Sequence, residues 1–178
     1  MKKILFTLLV LEVTACTSFA QTKDSSFGKF SPAADVGLPI GYTNKIYDLA
    51  VGGSLKYDVH VDTGASVNLT AGYEEFIVKK SLKKIGWTSP GFIPVKVGFK
   101  YYFNDLGFYG EGQLGFAFST ESGGGKKIAY APGAGYTLDG GVDVGVRYEG
   151  WSNNGTINNA TIHNGAINQV AFRMAYNF

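Results

Sequence analysis

Apolar and polar side chains alternate one by one through most of this chain, and the alternation is cleanest at residues 142–151. There Val142, Val144, Val146 and Tyr148 interleave with Asp143, Gly145, Arg147 and Glu149. A β-strand sends successive side chains to opposite faces. The stretch therefore predicts a strand with one bulky apolar face and one small or charged face. The same period predicts strands at 31–40, 47–59, 63–76, 93–103, 108–119, 128–138 and 168–178. In the first, Pro32 and Pro39 cannot donate to a ladder. The last sets Val170, Phe172, Met174, Tyr176 and Phe178 against Gln169, Ala171, Arg173, Ala175 and Asn177.

The connections alternate as well. Tight turns are expected after the second, fourth and sixth strands, at 60–62, at Asn104-Asp105-Leu106-Gly107 and at Asp139-Gly140. Longer connections follow the first, third, fifth and seventh, at 41–46, 77–92, 120–127 and 152–167. Within the last of these, Ile157, Ile162 and Ile167 recur among Asn, Thr and Gly, and are read as extending the flanking hairpin. Eight strands of about ten residues each match the length that crosses a tilted bilayer. The expected fold is all-β: a closed antiparallel eight-stranded transmembrane barrel with short periplasmic turns and longer external loops.

Alternation does not say which face looks outward. A secreted lipocalin-like barrel would turn the apolar face inward to hold an apolar ligand. Eight strands leave an interior just wide enough for side chains to fill, which suits the small and charged face better than the bulky one. Tyr57, Tyr73, Tyr101, Tyr148 and Tyr176 fall near strand ends, where they would form interfacial girdles. The lumen should then hold Asp35, Asp58, Glu74, Glu111, Asp143 and Glu149 with Lys56, Lys96, Lys100, Arg147 and Arg173. Such charges must be paired when buried. They are read as a network that plugs the barrel; a narrow ion-selective pore is the alternative.

On these features the chain resembles the small eight-stranded outer-membrane proteins of the OmpA and OmpX kind. The resemblance covers nearly all of 21–178 and concerns architecture rather than catalysis. It implies a bacterial outer-membrane location with both termini periplasmic. It also implies that Val170, Phe172, Met174, Tyr176 and Phe178 are the signal read by the barrel-insertion machinery.

Composition narrows the reading further. Residues 1–20 look like a removable secretory signal: Lys2 and Lys3, an apolar stretch, then Ser18-Phe19-Ala20. A rival site, Val13-Thr14-Ala15-Cys16, would lipidate Cys16 instead. Cys16 is the sole cysteine, so removing 1–20 would leave no thiol for disulfides, catalysis or metal. Sixteen basic against 14 acidic residues leave a net charge of only +2, too nearly balanced to suggest nucleic-acid binding. Aromatics at 15% and 25 glycines favour strands and turns over helices.

Catalytic chemistry finds little material. His60 at a turn and His163 in the last loop are expected at opposite ends and cannot share a site. Neither a metal cluster nor a cofactor site is readable, and no enzyme is expected. The remaining chemistry lies in the long connections. Lys79, Lys80, Lys83 and Lys84 stand near Trp87. On an external rim they would meet the phosphates of lipopolysaccharide, with Trp87 at headgroup level. The connections at 77–92 and 152–167 are the expected route to any external ligand.

Overall fold

The structure, a computed structural model, describes residues 28–103, 107–121, 124–152, 156–157, 160–161 and 166–178. Residues 1–20, Cys16, Ile162 and His163 lie outside them. The principal strands are β1 (Lys29–Pro39), β2 (Tyr47–Asp62), β3 (Ala65–Val78), β4 (Gly91–Tyr102), β5 (Phe108–Ser119), β6 (Lys126–Thr137), β7 (Val142–Ser152) and β10 (Ile167–Tyr176). A two-residue ribbon, β8 (Thr156–Ile157) with β9 (Ala160–Thr161), stands between β7 and β10. Two single helical turns, α1 (Thr43–Ile46) and α2 (Lys80–Lys83), sit in connections expected to be irregular.

The eight long strands close into one antiparallel barrel in the order β1-β10-β7-β6-β5-β4-β3-β2. Closure is made by β1 with β10, whose register runs from Ala33 opposite Ala175 to Pro39 opposite Gln169. Pro32 and Pro39 are accommodated in β1, and Pro32 stands opposite Leu55 in the β2 pairing. No barrel edge is left open, which removes the aggregation hazard of a terminal amphipathic strand. Beyond β10 the amide of Phe178 still donates to the Phe30 carbonyl at 2.9 Å. The start of β1 and the end of β10 therefore meet at the end of the barrel that carries the three short turns.

Connections at that turn end span 63–64, 103–107 and 138–141; those at the loop end span 40–46, 79–90, 120–125 and 153–166. Several expected bounds move. The third strand starts at Ala65 rather than 63, because Gly64 turns the chain at φ +81°. The connection expected at 77–92 shrinks, since β3 continues to Val78 and β4 begins at Gly91. The Phe76 amide donates to the Pro90 carbonyl at 3.0 Å, carrying the pairing into that segment.

The bulky face points outward. Val36, Leu55, Leu69, Val97, Leu114, Val146 and Phe172 are each 42–63% exposed. A monomer in water rarely shows so continuous an apolar band, and burying it needs hydrocarbon. Aromatic pairs border the band at the turn end: Phe30 with Tyr57, Tyr101 with Phe103, and Tyr176 with Phe178. Near the loop end Tyr130 lies beside Tyr148. The Tyr148 hydroxyl donates to Asn168 at 3.0 Å.

Candidate functional site

Inward positions of the strands bring eleven charged side chains into one lumen: Asp35, Lys56, Asp58, Glu74, Lys96, Lys100, Glu111, Asp143, Arg147, Glu149 and Arg173. All are buried or nearly so, and they fall into two layers. The layer nearer the turn end is built on Asp143. Its carboxylate accepts from the Tyr109 hydroxyl at 2.7 Å, the Thr137 hydroxyl at 2.9 Å and the Lys100 ammonium at 3.4 Å. The same ammonium lies 4.0 Å from the Tyr109 ring centre, a desolvated cation–π contact. Lys56 reaches across to Glu111 at 3.0 Å and lies 4.0 Å from Asp58. Asn68 donates to the same Glu111 oxygen at 2.8 Å.

The middle layer is built on Arg147 and Glu149, two residues apart on β7 and therefore on one face. Arg147 donates to Asp35 at 2.9 Å and to Glu149 at 3.2 Å. Glu149 is also paired with Lys96 from the far wall. Arg173 donates to Ser54 at 2.6 Å and to the Ser31 carbonyl at 3.1 Å. Ser54 in turn donates to Asp35 at 2.6 Å. Glu74 is the one acid of the set whose described partner is neutral: it accepts from Gln169 at 2.6 Å. Buried ions are expensive unless paired and hydrogen-bonded; this web provides both for most of the set, while Glu74 and Arg173 bond neutral partners.

Toward the loop end the lumen changes character. Phe76, Phe92 and Trp151 are buried at 0%, 5% and 1% exposure, although each belongs to a chain whose bulky residues mostly face outward. Their ring centres lie 5.1–5.9 Å apart, all edge to face, and Tyr47 stands against Phe76 at 5.4 Å. Ala50, Ala117, Ala129 and Ile167 complete the cluster. Ile167, expected at the end of a loop, is an inward residue of β10. Alternation assigns bulky apolar residues to the outer face, which leaves these side chains out. Carrying the two-residue period of the lumen charges onward finds them: Glu74 to Phe76, Lys96 to Pro94 to Phe92, and Arg147 to Glu149 to Trp151. Beside Tyr109, Arg147 and Arg173 a void of about 10 Å³ remains, room for one water at most.

The loop-end rim is held by bonds between connections. The Lys79 amide donates to the Ile46 carbonyl at 3.0 Å, Thr88 to Glu121 at 3.3 Å, and the Asn168 amide to the Thr43 hydroxyl at 3.0 Å. Lys80, Lys83 and Lys84 are exposed on and beside α2, with Ile85 at 71% and Trp87 at 46% exposure. His60 is exposed near the turn end. Among the described residues no cluster of three metal-ligating side chains occurs. Val170, Phe172, Met174, Tyr176 and Phe178 share the outward face of β10 and its extension.

In sequence, no family model and no curated protein matches the chain. In structure, the outer membrane enzyme PagL superposes at a TM-score of 0.62 and 17% identity, over 82% of this chain and 98% of its own. The N-terminal β-barrel domain of Pseudomonas aeruginosa OprF gives 0.58 at 12% identity, over 85% and 99%. Ail, the attachment invasion locus protein of Yersinia pestis, gives 0.52 at 14%, over 85% and 99%. The fold is that of the small eight-stranded outer-membrane barrels. At these identities the likeness speaks for the fold alone, and it includes both an enzyme and a protein named for attachment.

Proposed function

We propose that this protein is an integral barrel of the bacterial outer membrane, non-enzymatic and closed along its lumen, with a structural or surface-interaction role. Both termini face the periplasm on this reading, and the loop end faces outward. That end meets the outer leaflet with its lipopolysaccharide, and the outward face of β10 meets the insertion machinery. The observation that carries the proposal is the filled lumen: two layers of bonded charge and an aromatic cluster stacked along one axis. A pore reading needs a bore, and a ligand-carrying soluble barrel needs an apolar cavity. The described lumen supports neither.

Two measurements test it. Unboiled and boiled samples of outer-membrane fractions should run at different mobilities, as a closed barrel resists detergent until heated. The purified protein should add no steady conductance to a planar bilayer. Sustained current would overturn the closed lumen; recovery in a soluble fraction without detergent would overturn the membrane assignment.

A further inference from the structure

We propose that the loop-end rim carries a phosphate-binding collar, in which Lys45, Lys80, Lys83, Lys84 and Lys126 hold phosphorylated headgroups of the surrounding leaflet. The inference rests on the outward orientation proposed above and names what that end recognises.

The lumen and the rim treat charge in opposite ways. Inside, Lys56, Lys96, Lys100 and Arg147 are each within 4.0 Å of a carboxylate. On the rim, none of the five collar lysines forms an ion pair with another described residue. Lys80, Lys83 and Lys84 fall at helical spacing on α2 and the residue after it, so their like charges share one side of the turn. Local folding is therefore opposed by this arrangement, and an external anion would relieve it.

Two further lysines extend the cluster around the barrel. Lys45 on α1 lies 5.7 Å from the Tyr42 ring, and Lys126 at the start of β6 lies 5.1 Å from the Phe116 ring. Their connections belong to one laced rim: α1 is tied to α2 through Lys79 and Ile46, and the connection after α2 is tied to the β5–β6 connection through Thr88 and Glu121. The source of the phosphate is set by the apolar neighbours. Tyr42, Ile85 and Trp87 are 61%, 71% and 46% exposed among these lysines, and Phe116 is part of the lipid-facing wall. Lysine beside interfacial aromatics and an exposed Ile is the composition of a headgroup layer rather than of a site for a soluble anion.

Trp87 reports the contact, because the other described tryptophan, Trp151, is buried in the lumen and shielded from a lipid quencher. The folded protein would be placed in vesicles of phosphatidylcholine containing a minor fraction of phosphatidic acid brominated near its headgroup. Control vesicles would carry equally brominated phosphatidylcholine. We expect phosphatidic acid to be enriched at Trp87 by roughly fivefold, on the scale of one juxtamembrane lysine. The triple variant K80Q/K83Q/K84Q should lose the enrichment, and K29Q at the turn end should keep it. Equal quenching by the two lipids, or enrichment that survives the triple variant, would overturn the collar. Soluble tripolyphosphate that perturbs Trp87 in neutral vesicles, with no lipid enrichment, would overturn the lipid source. Each variant would first be shown to keep its heat-dependent mobility, so a folded, non-conducting barrel that failed this test would sink the collar and leave the proposed function standing.

Discussion

At the scale of single residues, Arg147 is the cation that joins two carboxylates of the middle layer. It bonds Asp35 at 2.9 Å and Glu149 at 3.2 Å from a site only 11% exposed. Replacing it by leucine keeps bulk but leaves two carboxylates without that partner. Removing one side of a buried pair costs about 3–5 kcal/mol. Arg147→Leu should therefore lower the urea midpoint of the protein folded into vesicles by a corresponding amount; an unchanged midpoint would show that the web is not a structural unit. A second test turns on space. A Cβ at Gly135 would collide with the Tyr109 hydroxyl, which holds Asp143. Gly135→Ala should push Tyr109 off its bond and destabilise the barrel by about 1–3 kcal/mol, the range for overpacking. Tyr109→Phe in the same background should leave most of the loss in place, since the ring Cζ and the Val144 carbonyl still crowd the added Cβ.

At the scale of elements, the two faces of a strand live in different solvents. On β10, Phe172 is 50% exposed to the lipid side, whereas its neighbour Arg173 is 5% exposed in the lumen. An arginine at the midplane of a lipid face costs about 2–4 kcal/mol. Phe172→Arg should show that loss in a urea titration from phospholipid vesicles. A loss well below it would place Phe172 away from the hydrocarbon. That Asp35, Lys56 and Arg173 share one face was legible in the sequence, since a two-residue period needs no tertiary information. That this face is the inward one follows from the narrow bore of eight strands, which suits small and charged side chains. The aromatic cluster was not read, although Phe76, Phe92 and Trp151 keep the same parity. Phe76 and Trp151 stand at expected strand ends, and Phe92 fell in an expected connection. The inward placement of Phe76 and Phe92 depends on β3 continuing to Val78 and β4 starting at Gly91, and that of Trp151 on β7 continuing to Ser152. The short turns α1 and α2 escaped because four residues carry no amphipathic repeat.

At the scale of the whole molecule, the proposed closed lumen would be sealed twice in series. The charged layers fill the half toward the turns and the middle; the rings of Phe76, Phe92 and Trp151 fill the part toward the loops. The two closures fail for different reasons. Rings exclude water by bulk, so truncation opens space. Ion pairs exclude it by holding long side chains across the axis, as Lys96 to Glu149 and Lys56 to Glu111 do. Series closure predicts an asymmetry between single and combined changes. Trp151→Ala with Phe92→Ala should leave a planar bilayer without steady current, because the charged layers still span the bore. Arg147→Ala with Lys96→Ala should do the same, because the rings remain. All four together should still add no steady current, because Lys56 to Glu111 and Lys100 to Asp143 in the layer nearer the turns still cross the bore. Adding Lys56→Ala and Lys100→Ala should let it conduct, with cation preference, since the lumen acids then outnumber its bases. Current from the aromatic double variant alone would mean that the ion pairs do not seal, and the lumen would be a gated conduit whose only door is the ring cluster.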